Sequence, residues 1–370
     1  MKKLIVAALV LMTAVNFTFA AGQQEEAGSE KVTIGALIRN TDEQFVADYA
    51  ENLKKLAAAK GVDLKLLDSR SDQAMQLDQL NVLLTQGVKH FVIVPNVTEA
   101  TEDMAKKIDA VGGGAAFSNI QPSVEALKVS PNFYLASSPE SVAGQIQAQI
   151  LDDYFKANPA KLENGDPKAL DVIFLYGQLG HPAQVFRSEA AVKGLKDAGY
   201  TVNIVAEDTA NWKPDEAQAK MDTWLAAYSG KFDVVIANND GMALGAVESL
   251  LTNKYTDDPN DPTKDVDGDG TVLRVPVIGV DATGVAVKSM SENKLLATVL
   301  QDAVGQSTTA FELAYMMATE GSATGKKAWG ISPLTAVTGE APATDAAIVG
   351  QCYLVPFAAV TMDNYKEYMQ

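Results

Sequence analysis

Residues 56–69, LAAAKGVDLKLLDS, and residues 195–208, LKDAGYTVNIVAED, are two copies of one local pattern in a single chain. Each runs from the end of a helical stretch through a glycine into an alternating apolar strand. Glycine tolerates the left-handed conformation that closes a helix, so it punctuates the switch from a 3.6-residue to a 2-residue period. Upstream of the first copy, KVTIGALI (31–38) reads as a buried strand, and EQFVADYAENLKKLAAAKG (43–61) puts Phe45, Tyr49, Leu53 and Leu56 on one helical face. Downstream, DQAMQLDQLNVLLTQG (72–87) reads as a helix and VKHFVIVPN (88–96) as a strand, begun by a structural His90. The second copy has the same surroundings: strand DVIFLYG (171–177), helix DEAQAKMDTWLAAYSG (215–230) and strand FDVVIANND (232–240). A fourth strand follows in each half, GGAAFSN (113–119) and VPVIGVDA (275–282). Strand–helix alternation repeated twice predicts an α/β protein of two doubly wound parallel-sheet lobes.

Composition agrees with that size. A chain of 370 residues that is 47% hydrophobic can bury a large core, and its length favours two units over one. Its net charge of −17 argues against nucleic acid as a partner, because phosphate contacts need a basic face. Residues 1–20 read as a secretory signal peptide: Lys2 and Lys3 precede an apolar run from Leu4 to Val15, and Thr18-Phe19-Ala20 offers a small-x-small cleavage site. A polar segment, 21–30, follows. The expected location is therefore the periplasm or another extracytoplasmic space. The sole cysteine, Cys352, stands in an apolar run and reads as a buried, inert thiol.

In open parallel sheets, ligands bind beyond the carboxyl ends of the strands. Here those ends carry Asn40, Asp42, Glu43, Asn96, Asn119, the 180–187 loop GHPAQVFR, Asn238, Asn239, Asp240 and Asp281. If the lobes face one another, these groups line one cleft. Amides donate and accept, carboxylates accept and arginine donates in a rigid fork, a mixture suited to hydroxyl groups. Phe45 and Trp212, each near the start of a loop after a strand, can sandwich the C–H face of a sugar; ordinary core packing is the alternative reading.

Five segments, VVIANNDGMALGAVESL (234–250), VIGVDATG (277–284), TVLQDAVGQ (298–306), GHPAQVFR (180–187) and DTANWKPDEAQAKMDTWL (208–225), together resemble the periplasmic glucose/galactose-binding proteins of ABC importers. The resemblance extends from Val32 to Asn364. It implies two lobes joined by three crossovers, with 31–137 and 302–353 in the N-terminal lobe and 138–301 and 354–370 in the C-terminal one. It further implies a ligand of one monosaccharide, glucose or galactose or a glycoside of them, delivered by a monomeric protein to a membrane permease and ATPase, with a chemoreceptor as a further candidate partner. Carried over, the stacking aromatics fall on Phe45 and Trp212 and the N-lobe amide on Asn119. His181 takes an exocyclic hydroxyl, Arg187 the ring oxygen, and Asn239 and Asp281 two vicinal hydroxyls. Glu43 replaces a family aspartate, Gln301 replaces an asparagine, and Ala183 replaces the aspartate that accepts from the anomeric hydroxyl. The last change points to a glycoside, or to Gln184 as a substitute. Trp212 and Arg187 are expected on solvent-facing walls, where alanine weakens binding without harming the fold.

DVDGDGTVL (265–273) has the alternation of a calcium loop, with Asp265, Asp267, Asp269 and the Thr271 carbonyl as ligands of a structural Ca²⁺. Position twelve is Pro276 rather than glutamate, and a solvated acidic loop is the equal alternative. No cofactor is required. The sequence has no nucleophile elbow, phosphate loop or histidine cluster, which argues against an enzyme. The rivals are a pentose or nucleoside binder and, further off, a sugar-processing enzyme using Glu43 and Asp281 as its carboxylate pair.

Overall fold

The computed structural model describes residues 31–257, 272–340 and 342–369. The segment expected to be a signal peptide and the proposed calcium ligands Asp265, Asp267, Asp269 and Thr271 lie outside the described residues.

The first half contains strands β1 (Thr33–Ile38), β2 (Asp63–Asp68), β3 (His90–Ile93), β4 (Gly114–Ser118) and β5 (Phe133–Ser137). They alternate with helices α1 (Gln44–Lys60), α2 (Gln73–Thr85), α3 (Thr101–Asp109) and α4 (Val124–Lys128). The second half runs α5 (Glu140–Ala157), β6 (Ala169–Tyr176), α6 (Pro182–Asp197), β7 (Thr201–Thr209), α7 (Pro214–Tyr228), β8 (Val234–Ala237), α8 (Asp240–Thr252), β9 (Val277–Ile278), α9 (Gly284–Ser291) and β10 (Thr298–Leu300). The chain ends with α10 (Ala303–Glu320), β11 (Cys352–Leu354) and β12 (Ala358–Val360).

One sheet has the order β2-β1-β3-β4-β5-β11, and every pairing in it is parallel. The other has the order β7-β6-β8-β9, also parallel, and β10 extends it through parallel bridges Ile278–Ala297 and Asp281–Leu300. The reversal beside β1 in one sheet and beside β6 in the other is the topological switch point where such folds bind ligands. The glycine that follows the first helix behaves as the repeat requires: Gly61 caps α1 at φ 67°, its N–H returning to the α1 carbonyls.

Four short strands escaped the repeat. β5, β10, β11 and β12 have three to five residues each, too few for a period to register. They matter because the chain changes sheets beside them, between β5 and α5, between β10 and α10, and between β11 and β12. Helix α5 packs closely on α6: a Cβ at Gly144 would lie 2.1 Å from the Arg187 carbonyl, and one at Gly194 would lie 2.6 Å from Ala148 Cβ. The missing side chains let the first crossover helix fix where Arg187 sits. Cys352 is buried in β11, and burial pushes its thiol up to about 12, so it is an inert thiol at neutral pH.

Candidate functional site

The strand ends of the two sheets meet around one cavity of about 240 Å³. Glu43, Phe45 and Asn119 line it from one lobe; His181, Arg187, Trp212, Asn239 and Asp281 line it from the other; Gln301 stands at a crossover. The nine side chains carried over from the resemblance therefore share one space, with Asp42, whereas Asn40 and Asn96, also read from the strand ends, do not line it. Pockets for drug-sized ligands run to roughly 300–1,000 Å³, so this one suits a small ring. Its walls carry unusual backbone: Asn119 (φ 61°), Trp212 (φ 67°) and Asp281 (φ 127°) are all in the region disfavoured for side-chain-bearing residues. Such strain persists where the surroundings over-determine the conformation.

Trp212 lies flat against Gly177, where a Cβ would come within 2.1 Å of the indole. The ring is also edge-on to His181 at 5.0 Å. Phe45 is 7% exposed and packs on Tyr49, so it belongs to the core and to the cavity wall at once. His181 caps α6, its Nδ1 accepting from the Ala183 N–H at 3.1 Å. With Nδ1 as acceptor, the neutral ring carries its proton on Nε2, a donor available to the cavity. Burial, then the charges of Arg39 and Arg187, push its pKa well below the ordinary histidine value, so the ring stays neutral.

Glu43 is ion-paired with buried Arg39, which sequence reading did not single out. Asn239 caps α8 through its side-chain oxygen and donates to the Trp212 carbonyl at 3.3 Å, which leaves one amide N–H for a ligand. Asp281 is 8% exposed, and among the described residues its carboxyl group accepts no hydrogen bond; its cation neighbour is Arg187, Nη1 to Oδ1 3.8 Å. Burial raises its pKa well above the carboxylate norm, only partly opposed by Arg187.

Arg187 corrects an expectation. It is 2% exposed, not on a solvent-facing wall. Its Nε donates to Glu140 Oε2 at 2.7 Å, Nη1 to the Asn238 carbonyl at 2.7 Å and Nη2 to Gln301 Oε1 at 3.0 Å. A guanidinium has five N–H donors, so two remain for the cavity. Glu140 was missed because nothing local distinguishes the glutamate of SSPES (137–141) from an exposed first-turn residue. Trp212, at 7% exposure, is likewise more buried than expected.

Two more expectations fail. Asn238 and Asp240 do not line the cavity: Asn238 accepts from the Gly177 N–H at 3.0 Å, and Asp240 accepts from the Thr283 N–H at 2.8 Å and Thr298 Oγ1 at 2.6 Å. They tie neighbouring strand ends together. Gln184 does not replace a carboxylate at Ala183; its Oε1 accepts from the Gly180 N–H at 3.2 Å and it lies outside the cavity.

Burial raises Asp240 to about 7 despite its three hydrogen bonds to threonines. A carboxyl whose folded pKa exceeds its unfolded value stabilises the fold below the unfolded value and loses that contribution as pH rises through the folded one. Stability should therefore fall between about pH 4 and pH 7 through this group, and Asp240→Asn should flatten that slope in urea titrations across the range.

The profile described as a periplasmic binding protein domain matches residues 34–323. The chain belongs to that family. The D-galactose/methyl-galactoside binding periplasmic protein of Haemophilus influenzae is 29% identical over 321 residues, 86% of this chain and 91% of the relative. A putative rhizopine-binding protein of Rhizobium meliloti is 31% identical over 83% of this chain and 87% of its own length. Among solved structures, a Bacillus halodurans ABC transporter solute binding protein with bound myo-inositol superposes with a TM-score of 0.70 at 24% identity, covering 93% of this chain and 99% of the other. The fold is thus that of a type I periplasmic binding protein. This periplasmic binding protein resembles solute carriers rather than catalysts, and it is not an enzyme. Among its described residues, no cluster of His, Cys, Asp and Glu has an arrangement that holds a metal.

Proposed function

We propose that the protein binds one small polyol, a monosaccharide or a ring of similar size, between its lobes and delivers it to an ABC importer. The observation that carries this reading is the cavity itself, which combines two aromatic rings with a buried Asp281 carboxyl group, facing Arg187 at 3.8 Å, and spare donors on Arg187, Asn239 and His181. Hydroxyl groups donate to such a carboxylate and accept from such donors, while aromatic rings cover the C–H faces. The lobes are 31–137 with 302–353 and 138–301 with 354–370, in keeping with strand membership. Ligand favours the closed arrangement because only there do both lobes touch it, and the membrane components read that shape. Relatives named for galactose and ribose support hexose and pentose alike.

Ala183 lines the cavity with a methyl group, where the glucose/galactose-binding pattern has a carboxylate. We assign that end to a substituted position, so a glycoside is accepted. Calorimetry with D-galactose, D-glucose, their methyl glycosides, D-ribose and myo-inositol tests both statements. One compound binding at one-to-one stoichiometry is expected; heat from none of them overturns the polyol reading. Loss of affinity for both anomers on methylation overturns the glycoside assignment alone. Asp281→Asn should weaken the bound compound roughly 10- to 100-fold in the same titration, the effect of losing a charge-assisted bond of about 1.5–3 kcal/mol.

A further inference from the structure

The three passages of chain between the lobes converge on one side chain. Glu140 opens α5 just after the first crossover, Gln301 lies in the second, and Phe357 in the third. Arg187 touches all of them: Nε donates to Glu140 at 2.7 Å, Nη2 donates to Gln301 at 3.0 Å, and the guanidinium carbon stands 5.8 Å from the centre of the Phe357 ring. Gln301 Nε2 also donates to Glu140 Oε1 at 3.3 Å, which closes a triangle. The first crossover is tied further, by Ser141 N–H to Glu340 Oε1 at 2.7 Å and Gln306 Nε2 to Ser138 Oγ at 2.8 Å. The same guanidinium forms part of the ligand cavity.

We infer that Glu140 is a positioning residue that couples filling of the cavity to lobe closure, by holding Arg187 against the crossovers. The inference rests on the polyol reading above and adds a role at a residue outside the cavity. Its physical basis is rigidity. Glu140 is 1% exposed and its carboxylate is engaged by Arg187 and Gln301, so the guanidinium cannot shift toward a ligand without moving two crossovers with it. Interior side chains packed and bonded this way respond as discrete arrangements rather than by gradual deformation. A ligand engaging the two remaining N–H groups of Arg187 therefore favours one disposition of the crossovers over the other.

The test compares Glu140→Gln and Glu140→Asp with wild type. The probe is the compound of the calorimetric panel that wild type binds. Each protein is examined at saturating probe by small-angle scattering, with circular dichroism to confirm folding. Wild type should contract fully at saturation. Glu140→Gln, which removes the charge facing Nε, should bind yet contract by less than half as much. Glu140→Asp keeps the charge and should contract to an intermediate degree, and it serves for the comparison if the glutamine variant fails to fold. Full contraction of the folded Glu140 variants overturns the inference, whatever their affinity. Should wild type bind no compound of the panel, the polyol reading falls and the inference with it, an outcome recognisable because wild type itself is silent.

Discussion

Arg187→Ala should abolish measurable polyol binding and also destabilise the fold, by on the order of 3–5 kcal/mol, because it leaves Glu140 buried without its counter-charge. Glu140 already has its pKa raised by burial, with Arg187 the main opposing influence. The sign follows: with Arg187 removed, Glu140 must take up a proton or bring water inside, and the penalty grows as pH rises. Thermal denaturation should show a Tm lowered by roughly 10 °C at neutral pH, with part of the loss recovered in acid. Arg187→Lys separates the two roles. It keeps a charge beside Glu140 but cannot reach Glu140, Asn238 and Gln301 at once, so stability should recover further than affinity does. A folded, wild-type-stable Arg187→Ala protein would contradict the ion-pair assignment.

Trp212→Ala is expected to weaken binding roughly 30- to 150-fold. Covering about 100 Å² of apolar ring at about 25 cal/mol per Å² accounts for about 2–3 kcal/mol of the loss. Because the indole is 7% exposed and joins the core of its lobe, alanine will also cost stability, so titrations belong with a melting curve. Trp212→Phe retains a stacking face and should recover most of both. Gly177→Ala provides an independent check without touching the ring: its Cβ would meet the indole at 2.1 Å and drive it out of place. Calorimetry on that variant should show a loss in the same direction; unchanged affinity would mean the indole does not contact the ligand.

The repeat was legible because its helices are long and their ends are marked. α1 and α6 have 17 and 16 residues, enough for a period to show, and Gly61 and Gly199 punctuate them in corresponding places. The cavity residues were legible because they sit at strand ends, where a parallel sheet gathers its loops. What stayed hidden depends on contacts between segments far apart in sequence. Glu140 meets Arg187 and Gln301 only after α5 has crossed to the second sheet. Asn238 and Asp240, one position either side of Asn239, look equally fit for a ligand, yet backbone direction turns them inward to tie strands. Three-residue strands such as β10 and β12 owe their existence to pairing, not to pattern.

The central claim is that one polyol ring lies between Phe45 and Trp212 with its hydroxyl groups on Asp281 and Arg187. A crystal structure of the protein grown with the tightest compound of the panel tests it most directly. The account predicts density for a single ring in that cavity, with both aromatic faces covered and Asp281 accepting at least one hydroxyl hydrogen bond. Ligand found on an outer surface, or a closed protein whose own side chains occupy the cavity, would contradict it.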